Sequence, residues 1–524
     1  MNTMKTFNIK TFTIALGAFV IVSCKQDVIT LTPPTAPTPV TPTGSKGNAD
    51  FTKYVSIGNS LTAGFQAGAL FTEGQQNSFP LILSKQFSIA QGATLTFNQP
   101  DINSVNGYNS SYSSPPSVIR GRLVLFAADG VQAHAVPTPA GATGVPAPYN
   151  TADLPTPFGG DKTKLNNFGV PGIILAQFLT PDTGNPAKAA YNPLWARFAS
   201  QPGVKSILDD VLAQQPTFFT FDLGNNDVLG YATTGGDGSI PITDQTPFTN
   251  YYQTAIGALM AASSTSKGVV STIPNVTTIP FFYTVKWNAV PLDAATAATV
   301  TTNLANNYNA FLAGMKQAGV LTAAEVTART LTYVAGQNPI LITDETLTDL
   351  SPYMAGPYAG LLPYAKARQT TANDLIPLTA GGILGTLVSN NPQMVNGVTV
   401  PLADKYVLIP SETTAILTAT ANYNTTIKNV AASFSTRIAV ADVNAAFTSF
   451  VNYQIIGSDG IFITPTFSPP TGAFSEDGVH PNSRGYAYLA NIFIDAINAK
   501  FSATVPHAIL SDYKGVGLPL GPAQ

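Results

Sequence analysis

Short apolar runs alternate with helix-length patterns along most of this 524-residue chain, and that rhythm limits the available folds more than any other feature. The clearest strands are predicted at 54–57, 217–223, 268–273 and 437–443, and the clearest helices at 206–215, 248–262, 294–318, 413–434 and 483–501. Strands alternating with helices point to an α/β protein with a parallel sheet covered on both faces. No repeat at a solenoid period competes with this reading. Two stretches break the rhythm, about 87–164 (rich in Pro, Ser, Tyr and Gly) and about 290–410. Both fall between elements of one sheet. They read as insertions into a body spanning 50–503, of the kind that builds walls or a lid, and not as independent domains. Residues 504–524 read as a C-terminal tail.

Composition narrows the function classes. Charged residues make up 10% of the chain, against roughly 25% in ordinary soluble domains, so Thr, Asn, Ser and Gln must supply the polar surface. The net charge of -3 offers no basic field for nucleic acid. Oligomeric state is not legible.

The N-terminus reads as an export signal over 1–23. Lys5 and Lys10 precede an apolar run from Ile14 to Val22, which is short of the roughly 20 residues that span a bilayer. The run ends at Ile21-Val22-Ser23-Cys24, which resembles a bacterial lipobox, with Cys24 the lipidated residue. Cys24 is the sole cysteine, so an intrachain disulfide is impossible. Residues 24–49 carry Thr-Pro repeats and read as an extended spacer between a lipid anchor and the body. Lys25 differs from the aspartate that retains such proteins at the inner membrane, which favours the outer membrane.

Ligands of open parallel sheets bind at the carboxyl ends of the strands. The first strand ends in Gly58-Asn59-Ser60-Leu61 and gives way to a helix start. Ser60 there is either a helix cap or a nucleophile close to backbone N–H groups. A possible strand end at Asn166-Asn167-Phe168-Gly169 leads into Val170-Pro171-Gly172, and the strand at 217–223 ends in Gly224-Asn225-Asn226-Asp227. Before the last helix lies Asp477-Gly478-Val479-His480. Of three histidines, His134 falls in a Pro- and Ala-rich insertion and His507 in the tail; His480 alone follows a carboxylate by three positions. A serine hydroxyl needs a base, imidazole supplies one near neutral pH, and a carboxylate on its other nitrogen fixes the tautomer. A tetrahedral oxyanion then needs donors, for which the Ser60 N–H, the Gly172 N–H and the Asn226 amide are candidates.

These four stretches, in this order, resemble the blocks of the SGNH hydrolases, the GDSL-type lipase/esterase family. Gly58-Asn59-Ser60-Leu61 stands for the Gly-Asp-Ser-Leu block, and residues 167–172 for the block ending in the oxyanion glycine. Gly224-Asn225-Asn226-Asp227 matches Gly-x-Asn-Asp, and Asp477-Gly478-Val479-His480 matches Asp-x-x-His. Ile273-Pro274-Asn275 resembles a strand-end segment of many members. The resemblance covers about 51–501, the insertions excepted. It implies a three-layer α/β/α, flavodoxin-like fold with Ser60 as nucleophile, His480 as base and Asp477 as its partner. It also implies an oxyanion hole of Ser60, Gly172 and Asn226, with no cofactor and no metal. Asn59 departs from the usual aspartate. The serine is not in a Gly-x-Ser-x-Gly elbow, which disfavours the α/β-hydrolase fold.

The expected activity is that of a lipid-anchored serine esterase acting outside the cytoplasm on a small-molecule, lipid or acylated-glycan ester. Apolar segments at 361–364 and 381–388 are candidate walls for a long acyl chain, unless they are simply core. Tyr108, Tyr112 and Trp195 are candidate sugar platforms for a carbohydrate O-deacetylase. A non-catalytic binding lipoprotein is the third reading, disfavoured by an intact Ser60, Asp477 and His480 set.

Overall fold

Five consecutive buried residues, Tyr54–Gly58, form β1, an inner strand of a five-stranded parallel sheet. The computed structural model describes residues 43–107, 121–132, 135–146, 157–452, 455–457 and 459–522. The predicted export signal, Cys24, the Thr-Pro run to Pro42, Tyr108, Tyr112 and His134 lie outside the described residues. The other strands of the sheet are β2 (Asn167–Gly169), β3 (Phe218–Asp222), β4 (Lys267–Ser271) and β5 (Ile438–Ala441). Their order across the sheet is β2-β1-β3-β4-β5, all parallel. This is the flavodoxin-type doubly wound order, whose switch point lies between β1 and β3. All four strands expected from the sequence are present, and β2 arises from the possible strand end before Gly169.

Gly58 pairs with Gly169 on one side and Asp222 on the other. The carboxyl ends of β1, β2 and β3 are therefore level. Whatever follows them in sequence meets at one edge.

Helices cover the sheet. After β1 come the short α1 (Ser60–Ala63) and α2 (Phe79–Gln91). Then follow α3 (Ile207–Ala213), α4 (Asn226–Thr233), α5 (Gln245–Ala262), α6 (Pro410–Ser433), α7 (Val443–Asn452) and α8 (Ser483–Phe501). One layer pairs α2 with α8, and the other packs α5 against α3 and α6. Apolar faces explain the layering: Phe79, Ile82, Leu83 and Phe87 of α2 and Tyr486, Phe493, Ile494 and Ile497 of α8 are all fully buried. At the amino end of the sheet, Phe51 stacks on Phe87 with ring centroids 4.0 Å apart.

Phe87 corrects the first predicted insertion, because it sits in the core on α2 and the irregular stretch begins only after Gln91. That stretch includes an antiparallel ribbon of Leu123–Phe126 with Val136–Pro139. The body is also longer than expected at both ends. Ser45 and Thr504 exchange backbone hydrogen bonds, and Val505, Ala508 and Leu510 of the predicted tail join the main core.

The second insertion has a hydrophobic core of its own, built around Tyr308, Phe311, Ile340, Leu341, Ile342 and Leu350. Its predicted helix is interrupted by a π turn, Thr301–Ala305, between Ala294–Val300 and Asn306–Gln317. Inside it, Arg368 binds Asp344 and Asp374 at 2.5 and 2.6 Å. No helix among the described residues is long and apolar enough to cross a membrane.

Candidate active site

β1 delivers Ser60 to the sheet edge, and a one-turn helix holds it there. Asn59 caps α1 by accepting the Leu61 N–H on Oδ1 at 3.0 Å. The Ser60 N–H belongs to the first turn, where no helical carbonyl is within reach. Ser60 is 7% exposed, at the floor of a small cleft walled also by Asn59, Asn225, Asn226, Val479 and His480.

The loop before α8 supplies the rest. His480 Nε2 lies 2.9 Å from Ser60 Oγ, and its Nδ1 lies 2.8 Å from Asp477 Oδ2. With Nδ1 donating to the carboxylate, Nε2 is left bare to accept the serine proton. The Phe65 ring packs against the imidazole, centroids 4.8 Å apart. The two carboxylate oxygens of Asp477 are heavily solvated by protein. Oδ1 accepts the Val479 and His480 N–H groups at 2.8 Å each and the Ser475 hydroxyl at 3.1 Å. Oδ2 accepts the Gly68 N–H at 2.7 Å. Burial pushes this carboxyl up, but the His480 ring beside it and these hydrogen bonds outweigh burial and hold it below its ordinary value. The loop is clasped from two sides. Ala67 donates its N–H to Ser475 Oγ at 2.8 Å, and Phe281 donates its N–H to the Gly478 carbonyl at 2.9 Å.

Asn226 and Asp227 secure a neighbouring turn. Asn226 Nδ2 donates to the Ile173 carbonyl at 2.8 Å, which uses one of its two hydrogens. Asp227 accepts the Leu175 N–H at 2.9 Å and the Thr243 hydroxyl at 2.8 Å. Between these anchors the chain turns through Gly172, whose φ of +81° suits glycine. Gly172 is exposed and is not among the residues that wall the cleft. Gly169 has another role: its N–H is taken by Asn167 Oδ1, and a Cβ there would lie 2.3 Å from the Ala63 nitrogen. The two glycines are thus distinguishable. Gly169 lets α1 pack on β2, and Gly172 shapes the turn.

Beneath the cleft lies a second layer of buried polar groups. Asp222 accepts the Ser271 hydroxyl at 2.5 Å, and burial pushes its carboxyl up to about 6. Asn59 Nδ2, Asp222 Oδ2 and both side-chain polar atoms of Asn225 are buried without a hydrogen bond of good geometry.

Other expected features lie elsewhere. Trp195 is fully buried against Phe198, so it is no sugar platform. Leu361, Tyr364, Ile383 and Leu384 pack on the core of the second insertion, and none of them walls the cleft. That insertion reaches the site through Leu378, whose side chain stands over Gly478. His507 pairs with Asp495 at 2.7 Å, away from Ser60. Glu345, Asp404 and Glu412 bring carboxylate oxygens within 4.8 Å of one another outside the cleft. Burial and the neighbouring carboxylates push Asp404 up to about 6 and Glu412 up to about 8. Sequence reasoning missed Phe65, Gly68, Ser475 and Phe281, because backbone donors and ring contacts leave no motif. No protein-family model, curated protein or solved structure matches this chain.

Proposed function

We propose that this chain is a serine ester hydrolase of the SGNH (GDSL) type that works through an acyl-Ser60 intermediate. The observation that carries the reading is the bridging position of His480, 2.9 Å from Ser60 Oγ and 2.8 Å from Asp477 Oδ2. Ser60 Oγ attacks the ester carbon and its proton passes to His480 Nε2. The resulting imidazolium is stabilised by Asp477. The oxyanion is held by the Ser60 N–H, the Gly172 N–H and the Asn226 amide. As the intermediate collapses, the ester C–O bond breaks and the leaving alcohol takes the proton from Nε2. Water then attacks the acyl-serine, gives a proton to Nε2, and the acid departs as Ser60 Oγ recovers that proton. The residues of the site complete this cycle by themselves.

The same reading places the protein outside the cytoplasm, anchored to the outer membrane through lipidated Cys24. Replacing Cys24 by Ala then shifts the protein from the membrane to the soluble fraction. An O-deacetylase with the same site has lost the support of Trp195, which is buried.

The test is hydrolysis of p-nitrophenyl butyrate by the full chain and by Ser60→Ala, with fluorophosphonate labelling mapped by peptide mass. The expected result is a loss of roughly 10⁴-fold or more in the variant, and labelling on Ser60 alone. Equal hydrolysis by both proteins would overturn Ser60 as the nucleophile, and none by either would leave the binding-lipoprotein reading in its place.

A further inference from the structure

Next to the Ser60 cleft lies a second hollow that no motif marks. Its wall is almost wholly apolar: Val443, Phe447 and Phe450 from α7, and Tyr488, Leu489 and Ile492 from α8, form its far side. Leu61, Pro274, Ile279 and Val479 wall both this hollow and the Ser60 cleft. The two hollows therefore adjoin along these four residues. Leu61 follows the nucleophile and Val479 precedes the base, so any chain attached to the carbon at Ser60 Oγ starts beside this boundary. The aromatic walls are braced. Phe447 meets Phe474 at 5.9 Å between centroids, and Phe450 meets Tyr488 at 5.3 Å.

We infer that this slot between α7 and α8 holds the acyl chain of the substrate, and that the enzyme prefers esters of short-to-medium fatty acids over acetyl esters and long-chain lipids. The inference rests on the esterase reading above and names its substrate class. Size sets the upper limit. The hollow, open on one side, offers about 100 Å³. An apolar cavity of about 150 Å³ binds benzene, so a chain of about four to six carbons fills this one and further carbons project into water. Apolar walls set the lower limit. Each methylene moved from water into such a slot contributes ~0.8 kcal/mol, or roughly fourfold in transition-state binding. An acetyl group reaches none of this surface. The slot is formed by the helices that flank the Asp477–His480 loop, and neither insertion contributes a residue to it.

The experiment is a p-nitrophenyl ester series from acetate to decanoate, read as kcat/KM on the full chain. The expected profile climbs roughly fourfold per methylene from acetate to about hexanoate and then levels. Val443→Phe, which narrows the slot, lowers the hexanoate-to-acetate ratio about tenfold. Phe447→Ala, which widens it at a half-buried position, moves the plateau to longer chains. Leu362→Ala, on an exposed residue of the second insertion, leaves the ratio unchanged. The companion measurement is calorimetric binding of sodium hexanoate and sodium acetate to Ser60→Ala, with and without Val443→Phe. A Ser60-dependent esterase with a flat profile that neither slot variant moves would overturn the slot and leave the reaction standing. An inactive chain that binds hexanoate, and loses it on Val443→Phe, would keep the slot and remove the esterase. Absence of both hydrolysis and hexanoate binding overturns both.

Discussion

The Gly68 N–H donates to Asp477 Oδ2 across 2.7 Å, so the segment just after α1 holds the carboxylate of a loop more than 400 residues away. The same oxygen faces His480 Nδ1. The acid is therefore fixed by the backbone before it fixes the histidine, and its charge is stabilised by donors that do not titrate.

Asp477→Asn tests that arrangement. The amide keeps the shape of the side chain but turns the wrong hydrogen-bonding character toward Nδ1, which favours the tautomer with the proton on Nε2. A fall of about 10⁴-fold in kcat with little change in KM is expected. Steady-state kinetics on a p-nitrophenyl ester decide it. A loss under tenfold would show that His480 finds its tautomer without Asp477.

Asn226→Ala removes the clamp on Ile173 together with the proposed oxyanion donor. The expected loss is about 10²–10³-fold in kcat. Asp227 acts one step further back, through the Leu175 N–H and the Thr243 hydroxyl. Asp227→Ala orphans a buried N–H and should cost about 1–3 kcal/mol in urea unfolding. Asp227→Asn should recover most of that stability, since the Thr243 hydroxyl can reverse its bond. Equal destabilisation by the two variants would mean that charge, and not hydrogen bonding, holds the turn.

The two glycines of the second block separate by experiment. Gly169→Ala forces a Cβ to within 2.3 Å of the Ala63 nitrogen and displaces α1 with Ser60. It should unfold the protein at lower urea and abolish hydrolysis. Gly172→Ala meets open space but keeps a φ of +81°. Its folding cost should be about 1–2 kcal/mol, the strain of a left-handed residue. The activity of Gly172→Ala, compared at equal folded fraction, then measures what the turn contributes to the reaction. A fall in kcat would show that the reaction needs the turn geometry at Gly172, whose N–H alanine retains; an unchanged kcat would show that the turn tolerates a side chain.

Stability should also depend on pH through Asp222, which is 3% exposed and titrates at about 6 instead of its ordinary 3.8. Between those values the folded protein holds a proton that the unfolded chain has lost. Stability therefore falls as pH rises from about 4 to 6 and stays lowered above it, by roughly 3 kcal/mol for a shift of about two units. Asp222→Asn carries no such proton and should unfold with a shallower slope between pH 4.5 and 7. Parallel slopes in thermal melts would show that Asp222 ionises in the folded state without penalty.

Much of the sheet was legible in the sequence, and for a physical reason. A strand buried on both faces must be apolar throughout, and the polar residues where it stops have few reasons to be there. Phe218 to Asp222 followed by Gly224, Asn225 and Asn226 shows this contrast well. The Ser60, Asp477 and His480 set was legible because its chemistry demands those side chains. The partners of Asp477 were not, since a backbone N–H such as that of Gly68 looks the same at every residue. The second insertion reads as wall or lid in one dimension; in the structure Tyr308 and Ile340 belong to a hydrophobic cluster of its own, and Leu378 stands over Gly478. Apolar content alone does not say which core a residue joins.

The Ser45–Thr504 pairing has a consequence for how the chain order itself is understood. Ser45 and Thr504 tie the segment that leads to Ser60 to the segment that leads away from His480, and the chain then continues past Thr504 into Val505, Ala508 and Leu510 of the same core. Ser60 and His480 are 420 positions apart along the chain, yet this tie holds their two segments side by side. Ser60 and His480 thus sit on two segments, 45–60 and 480–504, that are tied together at their far ends, while Asn226 reaches the cleft from the middle of the chain.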